Sequence, residues 1–341
     1  MKRDRLVLEG NSVAALMERV PVRHKGGNRM WTYTFTVFTP TYNRRHVLGG
    51  VFESLLAQTY RDFEWLVVDD GSSDGTGDLV ESWRQRAWFP IRYVYQSNGG
   101  KHVAFNRGVQ EARGELFLTL DSDDTCVPAA LARFKHYWDS IPDEQRTKFS
   151  AVTGLCVDEQ GKLVGKRFPQ DVLDSDSLEV RYRYKVTGEK WGFQRTEVLK
   201  QFPFPVGPGV SFVPEGVVWG AIARRYKTRY VNEGLRVYRN NYQGNNQQLT
   251  RSPIRPSGAA GMAFWHAGVL NEEIDWFWYD PSFFLRSAVH YVRFSLHARL
   301  GANGLGSKVN SLISLMLVGM AWPVGWAVFC LDLRRLRAKH A

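Results

Sequence analysis

The chain has 341 residues and a formal net charge of +11, with 44% hydrophobic and 23% charged residues. This composition excludes global disorder and allows one large or two modest domains with a hydrophobic core. The positive charge favours nucleic acid, anionic lipid or a phosphate-bearing substrate as partner, and the lack of zinc-finger spacing or an RNA-binding aromatic motif argues against nucleic acid.

An alternation of strands and helices begins at residue 34, after a polar stretch that we interpret as an N-terminal extension over residues 1–33. The segment lengths are those of βαβ units, which predicts an α/β fold with a mostly parallel sheet flanked by helices. Such sheets bind ligands just beyond the carboxyl ends of their strands. The predicted strands are 36–39, 65–68, 91–95 and 116–120, and the predicted helices are 47–58, 74–86, 101–112 and 129–138.

The pattern changes after residue 138. Antiparallel strands are predicted at 151–157 and 163–168, a helix at 215–226 after the proline- and glycine-rich loop 202–209, and two strands at 228–231 and 235–238. We therefore predict an α/β domain over residues 34–245 and a separate C-terminal region over residues 246–341.

Two predicted strands end on clustered carboxylates: Asp69 and Asp70 close the second, and Asp121, Asp123 and Asp124 follow the fourth. Such clusters suit Mg²⁺ or Mn²⁺ carrying phosphates, because these cations take one or two carboxylates plus substrate oxygens. Residues i and i+2 of an extended segment lie on one side, so Asp121 and Asp123 can face one cation while Asp124 braces the loop. A solvated turn is the alternative.

Lys101 opens the third predicted helix, where amide dipoles and an ammonium group together favour a phosphate. Asn106 and Arg107 lie further along the same helix. A solvated lysine and a surface arginine are the alternative interpretations of Lys101 and Arg107.

Five short motifs follow one another through this region. They are Pro40-Thr41-Tyr42-Asn43-Arg44, Leu56-Ala57-Gln58-Thr59-Tyr60, Val68-Asp69-Asp70-Gly71-Ser72-Ser73-Asp74-Gly75-Thr76, Asn106-Arg107-Gly108 and Asp121-Ser122-Asp123-Asp124. Their order and joint spacing resemble glycosyltransferase family 2, over about residues 34 to 240. The resemblance implies an inverting enzyme on the GT-A fold that uses a nucleotide-sugar donor and a divalent metal, Mn²⁺ or Mg²⁺, held at an Asp-x-Asp motif.

The resemblance also implies roles for individual residues. Asp123 is expected to bind the metal directly, while Asp121 reaches the donor ribose, or the metal through water. Asp70 is expected to accept a hydrogen bond from the uracil or ribose of the donor. The backbone from Pro40 to Asn43 can pair with a flat nucleobase, with an ordinary turn as the alternative. The full set expected at the donor is Pro40, Thr41, Tyr42, Asn43, Asp70, Lys101, Asn106, Asp121 and Ser122.

Inversion requires a carboxylate that takes the proton of the acceptor hydroxyl. Glu215 follows the proline loop, opens a predicted helix and matches the position of the family's acidic base. The family often has two adjacent acids there, whereas this chain has Glu215-Gly216. Glu189 is the alternative base, and stabilisation of the first helical turn is the alternative role of Glu215.

Aromatic side chains mark a candidate acceptor side, together with Glu189. Trp191, Trp219 and the aromatic run 276–279 can stack on sugar faces. Aromatics of this kind also serve as core residues or interfacial anchors, which is the alternative interpretation.

The C-terminal region combines apolar and basic residues. Leu285, Val289, Val292 and Leu296 form one face of a predicted helix beside a stripe that includes Arg293, a pattern of helices in a membrane interface. A core-facing helix is the alternative. Residues 312–331 carry no charge and have a bilayer-spanning length, but their proline-containing middle and two basic flanks favour a re-entrant or interfacial hairpin over a single span.

The location and the overall function follow from these patterns. Three scattered cysteines and no secretory signal predict a cytosolic protein with reduced thiols, at the cytoplasmic face of the membrane.

We predict a metal-dependent glycosyltransferase that moves a sugar from a nucleoside-diphosphate donor, UDP-linked, to a lipid-linked or envelope saccharide. Transfer to polyprenyl phosphate and a non-catalytic sugar- or nucleotide-binding subunit at the membrane are the alternatives.

Overall fold

The computed structural model describes residues 31–207, 210–238, 256–299 and 309–338. These residues divide into two units. The α/β unit contains the described residues up to 203 together with 222–238, and the helical unit contains the described parts of 204–221 and 256–338. The N-terminal extension predicted for residues 1–33 lies almost wholly outside the described residues, as does the boundary predicted at residue 245.

The α/β unit is built on a nine-stranded mixed sheet with the order β3-β2-β1-β4-β8-β6-β9-β5, in which β7 pairs with β9. Strands β3, β2, β1 and β4 are parallel, β8 is antiparallel to both β4 and β6, and β9 is parallel to β6. The strands are β1 (Tyr33–Thr41), β2 (Phe63–Asp69), β3 (Ile91–Tyr95), β4 (Gly114–Thr119), β5 (Thr125–Cys126), β6 (Phe149–Asp158), β7 (Val172–Ser175), β8 (Lys190–Arg195) and β9 (Lys227–Tyr238).

Helices with one apolar face connect the parallel strands. The α1 helix buries Val47, Val51 and Leu55, at the spacing of one helical face. Its Phe52 ring stacks on Trp83 of α2 with centroids 4.7 Å apart. The helices of this unit are α1 (Arg45–Leu56), α2 (Thr76–Arg84), α3 (Lys101–Glu111), α4 (Ala130–Asp139), α5 (Asp143–Arg146), α6 (Ser177–Tyr182) and α7 (Thr196–Gln201), and α8 (Gly216–Ala223) follows.

The antiparallel half of the sheet departs from the sequence prediction. The strand predicted at 163–168 is wrong, since only Leu163 forms a bridge, to Val157. The chain turns away at Gly165, whose φ is +93° and where a Cβ would lie 2.3 Å from the carbonyl oxygen of Thr187. The two strands predicted at 228–231 and 235–238 form one strand, β9, with irregular register near Gly234. Strands β7 and β8 and helices α6 and α7 were not predicted.

The helical unit contains α9 (Pro256–Glu272), a 3₁₀ turn (Ile274–Tyr279), α10 (Pro281–His297) and α11 (Leu312–Ala338). The α10 helix packs against both α9 and α11 and buries Ala288, Tyr291 and Val292. Of the face predicted to enter a membrane interface, Val292 is buried, Val289 and Leu296 are partly buried and Leu285 is exposed. The core-facing alternative therefore describes most of α10 better.

The α11 helix runs through Pro323 without interruption. The re-entrant hairpin predicted for residues 312–331 is therefore wrong. A proline removes one backbone hydrogen bond from a helix interior, and here the helix continues across that position. By length and composition, Leu312–Arg337 is long and apolar enough to cross a membrane.

Candidate active site

Three neighbouring parallel strands end at the same edge of the sheet. The loops after β1, β2 and β4 meet there, because these strands stand in the order β2-β1-β4. The backbone N–H of Asn43 donates to Ser72 Oγ (2.8 Å), and the N–H of Ser73 donates to Asn43 Oδ1 (2.9 Å). Asn43 holds a positive φ of 52° in this arrangement. The prediction that both acidic clusters share one edge is confirmed.

Asp70 is buried and organises the start of α3. Its Oδ1 accepts from Gln96 Nε2 (2.7 Å) and from the N–H of Gly99 (2.9 Å), and its Oδ2 accepts from the N–H of Gly100 (2.7 Å). Gly100, with φ of +93°, is the residue that precedes the helix. Three protein donors therefore hold the carboxylate that was predicted to contact the nucleoside.

The neighbouring acids of this loop have structural partners. Asp69 Oδ1 accepts from the N–H of Ser72 (2.7 Å), and Asp69 Oδ2 accepts from the hydroxyl of Tyr93 (2.6 Å). Asp74 accepts from the N–H of Thr76, the first residue of α2 (3.1 Å). Burial opposes ionisation of Asp74, but the hydrogen bonds of Thr76 and its neighbours hold its pKa below the ordinary value.

Asp121 forms an ion pair with the lysine that opens α3. Lys101 Nζ lies 2.9 Å from Asp121 Oδ1 and 3.0 Å from Oδ2. Burial alone would raise the pKa of Asp121, but the Lys101 ammonium and, beyond it, the guanidinium groups of Arg236 and Arg44 lower it below the ordinary value. The carboxylate is therefore ionised and its side chain is partly exposed, at 33%.

Asp123 lies in the turn that follows Asp121, and Arg44 Nη1 lies 3.7 Å from its Oδ2. Its side chain is 42% exposed, so the carboxylate can reach a ligand from solvent. Arg44 belongs to the loop after β1, and this pair joins that loop to the loop after β4.

Asp124 points into the protein, as predicted. Arg236 of β9 lies 3.2 Å from its Oδ2 and also 3.3 Å from Glu189 Oε2. Burial raises the pKa of Asp124 to about 7 against the lowering effect of Arg236, and Asp121 and Asp123 add to the rise. Arg236 is itself buried, and its paired carboxylates raise its pKa. This cluster anchors the acidic loop to β9.

The carboxylates at this edge of the sheet suit a divalent cation that takes part of its ligands from a substrate. Asp121 and Asp123 are hard oxygen donors in one short loop, and each lies beside a positive group. Within the described residues there is no group of three or more His, Cys, Asp or Glu side chains that could enclose a metal. The donor set therefore fits Mg²⁺ or Mn²⁺ bound by at most two carboxylates plus substrate oxygens, rather than a fully protein-bound metal.

The remaining predicted donor residues lie at or near this edge. Pro40 and Thr41 end β1, and Thr41 Oγ1 is buried with no hydrogen-bond partner in the described part of the chain. Tyr42 is 50% exposed, and Ser122 is buried between the two candidate metal ligands. Asn106 is half-buried on α3.

Arg107, by contrast, belongs to the surface of α3. It is exposed and pairs with Glu111 one turn along the same helix, at 2.7 Å. The surface-charge alternative therefore describes Arg107.

The predicted acceptor residues separate into different environments. Trp191 is buried among core aromatics, and its Nε1 donates to the carbonyl of Thr119 (2.6 Å). The prediction that Trp191 stacks on a sugar is therefore wrong. It belongs to β8, whose alternate residues face the core. Glu189 is exposed but lies beside Arg236.

Glu215 lies in the helical unit, just before α8. It is exposed, and the indole Nε1 of the partly exposed Trp219 donates to its Oε2 at 3.4 Å. The next residue is Gly216, and the Trp265 side chain of α9 packs directly against its backbone. A Cβ at position 216 would lie only 2.7 Å from Trp265 Nε1. The glycine at this position, where the family often has a second acid, is thus needed for helix packing.

Sequence reasoning missed three residues of this edge: Arg44, Gln96 and Arg236. Arg44 stands within one of the recognised motifs, so its position was a usable signal. Gln96 and Arg236 carry no local signal, because each meets its acidic partner only through sheet pairing, β3 with β2 and β9 with β5.

We expect Asp70→Asn to lower the free energy of unfolding of the chain by about 2 kcal/mol, because an amide group would face backbone or side-chain donors that the carboxylate now satisfies. Urea unfolding followed by circular dichroism measures this change. The matched control is Asp78→Asn, an exposed acid on α2, which should stay within about 0.5 kcal/mol of the unmodified chain. Equal stability of the two variants would contradict the assigned role of Asp70.

The chain is similar to known proteins over this region. Residues 36–147 match the family model described as glycosyl transferase family 2. An uncharacterised glycosyltransferase of Nostoc sp. is 29% identical over 224 residues, covering 60% of this chain and 64% of the relative. The GalNAc(5)-diNAcBac-PP-undecaprenol beta-1,3-glucosyltransferase of Campylobacter jejuni is 26% identical over 209 residues, with the same coverages of 60% and 64%. The match thus spans less than two thirds of these relatives' length.

Among solved structures, the crystal structure of S. aureus TarS 1-349 in complex with UDP-GlcNAc matches 88% of this chain and 81% of that chain. The TM-score is 0.56 at 20% identity, which shows a shared fold. The sheet described above is thus of the GT-A type. The family match over residues 36–147, which contain the parallel strands and the acidic loops, identifies this part of the chain as a glycosyltransferase family 2 domain.

Proposed function

We propose that the protein transfers a sugar from a nucleoside-diphosphate donor, UDP-linked, to a saccharide acceptor at the cytoplasmic face of a membrane, with inversion at the anomeric carbon. The observation that carries the proposal is the edge where Asp70, Lys101, Asp121 and Asp123 converge. A donor of this kind presents a base, a ribose and a diphosphate, and the edge offers backbone groups, carboxylates and cations in one place.

On this proposal, Asp121 and Asp123 would hold Mg²⁺ or Mn²⁺, which when bound neutralises charge on the leaving diphosphate. Lys101 stands at the start of α3, where its ammonium group can contact a diphosphate oxygen. Asp70 holds the Gly99–Gly100 turn in place, and so fixes the position of the Lys101 backbone from which that ammonium group extends. Thr41 and Asn43 offer polar groups to the nucleoside.

Glu215 is our proposed general base. A carboxylate that accepts the proton of an acceptor hydroxyl makes that oxygen a nucleophile for the anomeric carbon, and the sugar–phosphate bond breaks as the new bond forms. Glu189 is less suited to this role, because its carboxylate faces Arg236 and balances a buried charge. The Trp219 indole can orient the Glu215 side chain.

The proposed acceptor is a lipid-linked or envelope saccharide. The Campylobacter jejuni relative is named for a polyprenyl-diphosphate-linked saccharide acceptor, which supports extension of such a saccharide rather than transfer to polyprenyl phosphate. UDP as the donor nucleotide is supported by the complex of TarS with UDP-GlcNAc.

The proposal is tested with the purified chain, a panel of UDP-sugars and lipid-linked saccharides, with products identified by mass spectrometry. We expect transfer that requires Mg²⁺ or Mn²⁺ and is abolished by EDTA. Asp123→Asn should reduce turnover at least about 100-fold at saturating donor, since a lost carboxylate ligand leaves the diphosphate charge uncompensated. Asp78→Asn is the control and should keep full activity.

Two outcomes contradict the proposal. Full turnover in the presence of EDTA, or full turnover of the Asp123→Asn variant, would contradict metal binding by Asp121 and Asp123. Donor binding without either transfer or donor hydrolysis would favour the non-catalytic sugar- or nucleotide-binding subunit.

A further inference from the structure

One side of α11 presents a broad apolar surface to solvent. Large apolar side chains are exposed along most of its length, and this exposed face is formed by residues that include Leu312, Met316, Met320, Trp322, Trp326 and Leu331. Soluble proteins rarely leave a contiguous apolar surface of this extent uncovered. A partner of apolar character is therefore expected on this face.

The opposite side of α11 is fastened to the rest of the helical unit. Ser314, Leu317, Ala321 and Gly325 are buried at spacings of three and four residues. Ser314 Oγ donates to the carbonyl of Leu270 in α9. At Gly325 the helices approach so closely that a Cβ would lie 2.7 Å from the Val292 Cβ of α10. The packed stripe is narrow, and the exposed face lies on the other side.

An ion cluster fastens the far end of α11. Asp332 accepts from Arg293 of α10 through both oxygens, with Nε–Oδ2 of 2.6 Å and Nη2–Oδ1 of 2.8 Å. His297 Nε2 lies 3.0 Å from the same Oδ2. The Asp332 side chain is only 12% exposed. Bidentate pairing of this kind fixes orientation as well as distance.

The packing of α11 on α9 and α10 limits the orientations that α11 can adopt relative to a membrane. Ser314 and Asp332 are about 27 Å apart along the helix, close to the roughly 30 Å thickness of the hydrocarbon core. If α11 crossed a bilayer, α10 would have to enter with it and carry the exposed Arg286 into hydrocarbon, because Arg286 lies about one turn before Val289, which contacts Gly325 in the apolar part of α11. Ionised groups are strongly disfavoured there. The geometry thus opposes a crossing helix, although length and composition permit one.

We infer that α11 lies in the plane of a membrane interface, with its exposed face among the acyl chains of one leaflet. The occupant of this face is an anionic lipid bilayer. Exposed Arg334, Arg335 and Arg337 follow the apolar residues directly and complement anionic head groups. The membrane contact expected from α10 is thus provided by α11, while α10 supports it from behind.

The native cysteines make the depth of α11 measurable. Cys126 and Cys156 are buried, and burial raises the pKa of these thiols to about 12 and about 11, which keeps them unreactive. Cys330 is partly exposed on α11 and can be labelled selectively with a nitrobenzoxadiazole dye in the full chain. A second label at Met320→Cys in a Cys330→Ser background reports the middle of the helix.

The labelled proteins are added to sealed vesicles of phosphatidylcholine and phosphatidylglycerol, and depth is measured with lipids that carry quenchers at different acyl positions. An in-plane helix places residues 320 and 330 at the same shallow depth, and externally added dithionite bleaches both dyes fully. A crossing helix would place residue 320 deeper than residue 330 and protect a label from dithionite. Either of these last results overturns the inference.

Charge dependence supplies the second readout. Arg334→Gln with Arg335→Gln should weaken binding to anionic vesicles about 25-fold, since each basic residue near such a surface contributes about a factor of five. The matched control, Lys166→Gln with Arg167→Gln, changes two exposed basic residues of the α/β unit and should bind as the unmodified chain does. Equal loss in both variants, or self-association through α11 without vesicle binding, would also overturn the inference. Vesicle binding needs no donor or acceptor, so it is separable from transferase activity.

Discussion

Glu215→Gln is expected to lower the turnover of sugar transfer by at least about 100-fold while leaving donor affinity unchanged. The amide keeps the shape of the side chain and can still accept from Trp219 Nε1, but it cannot take a proton from the acceptor hydroxyl. Steady-state kinetics with saturating donor measure the turnover, and calorimetric titration with UDP measures the affinity. Loss confined to turnover is the signature of a base that acts in the chemical step.

Glu189→Gln is the matched comparison. Because Glu189 lies beside Arg236, its amide variant should mainly change stability and keep most of the turnover. The reverse result, an active Glu215→Gln variant and an inactive Glu189→Gln variant, would identify Glu189 as the base.

Arg236→Met is expected to lower the free energy of unfolding by about 3 kcal/mol or more. Removal of one member of a buried ion pair leaves the other without its partner, so Asp124, whose pKa burial already raises to about 7, must remain an unpaired charge or take up a proton. The acidic loop should also lose its anchor on β9, so donor affinity should fall together with stability. Urea unfolding and UDP titration of the same variant measure both effects.

The double variant Arg236→Met with Asp124→Asn tests whether Arg236 acts through its pairing with Asp124. It removes the unpaired charge and should recover part of the lost stability, so the two single changes should not add. Additive losses would show that Arg236 stabilises the loop through another partner, such as Glu189, rather than through Asp124.

The parallel half of the sheet could be predicted from the sequence because its signals are local. Strand β3 was predicted with the bounds the structure has, and α3 begins at the predicted Lys101. Asp123 and Asp124 do point to different partners, Arg44 and Arg236, but the extended segment from which we predicted this division is a turn, closed by the N–H of Asp124 donating to the carbonyl of Asp121 at 3.1 Å. Local periodicity is sufficient wherever neighbours in sequence are also neighbours in the sheet.

The remainder depended on contacts between residues far apart in sequence. Asp70 was assigned to the donor, yet Gln96 and the amides of Gly99 and Gly100 hold it, which only the pairing of β2 with β3 reveals. Arg293 of α10 was placed in the polar stripe of a helix at a membrane interface, but it pairs with Asp332 of α11. For Trp191 the core position, which the structure shows, was the alternative interpretation; a strand alternates inward and outward positions, and the sequence does not reveal which is which.

Strand β4 has a consequence for synthesis of the chain. It is a central strand with buried Leu116 and Leu118, but its second neighbour, β8, begins only at Lys190. Until the ribosome has produced that segment, β4 is an open edge with unpaired backbone groups and apolar side chains, the kind of edge that recruits other chains. Nascent chains that end between residues 119 and 190 should therefore be the most aggregation-prone products of this gene and the ones most dependent on chaperones.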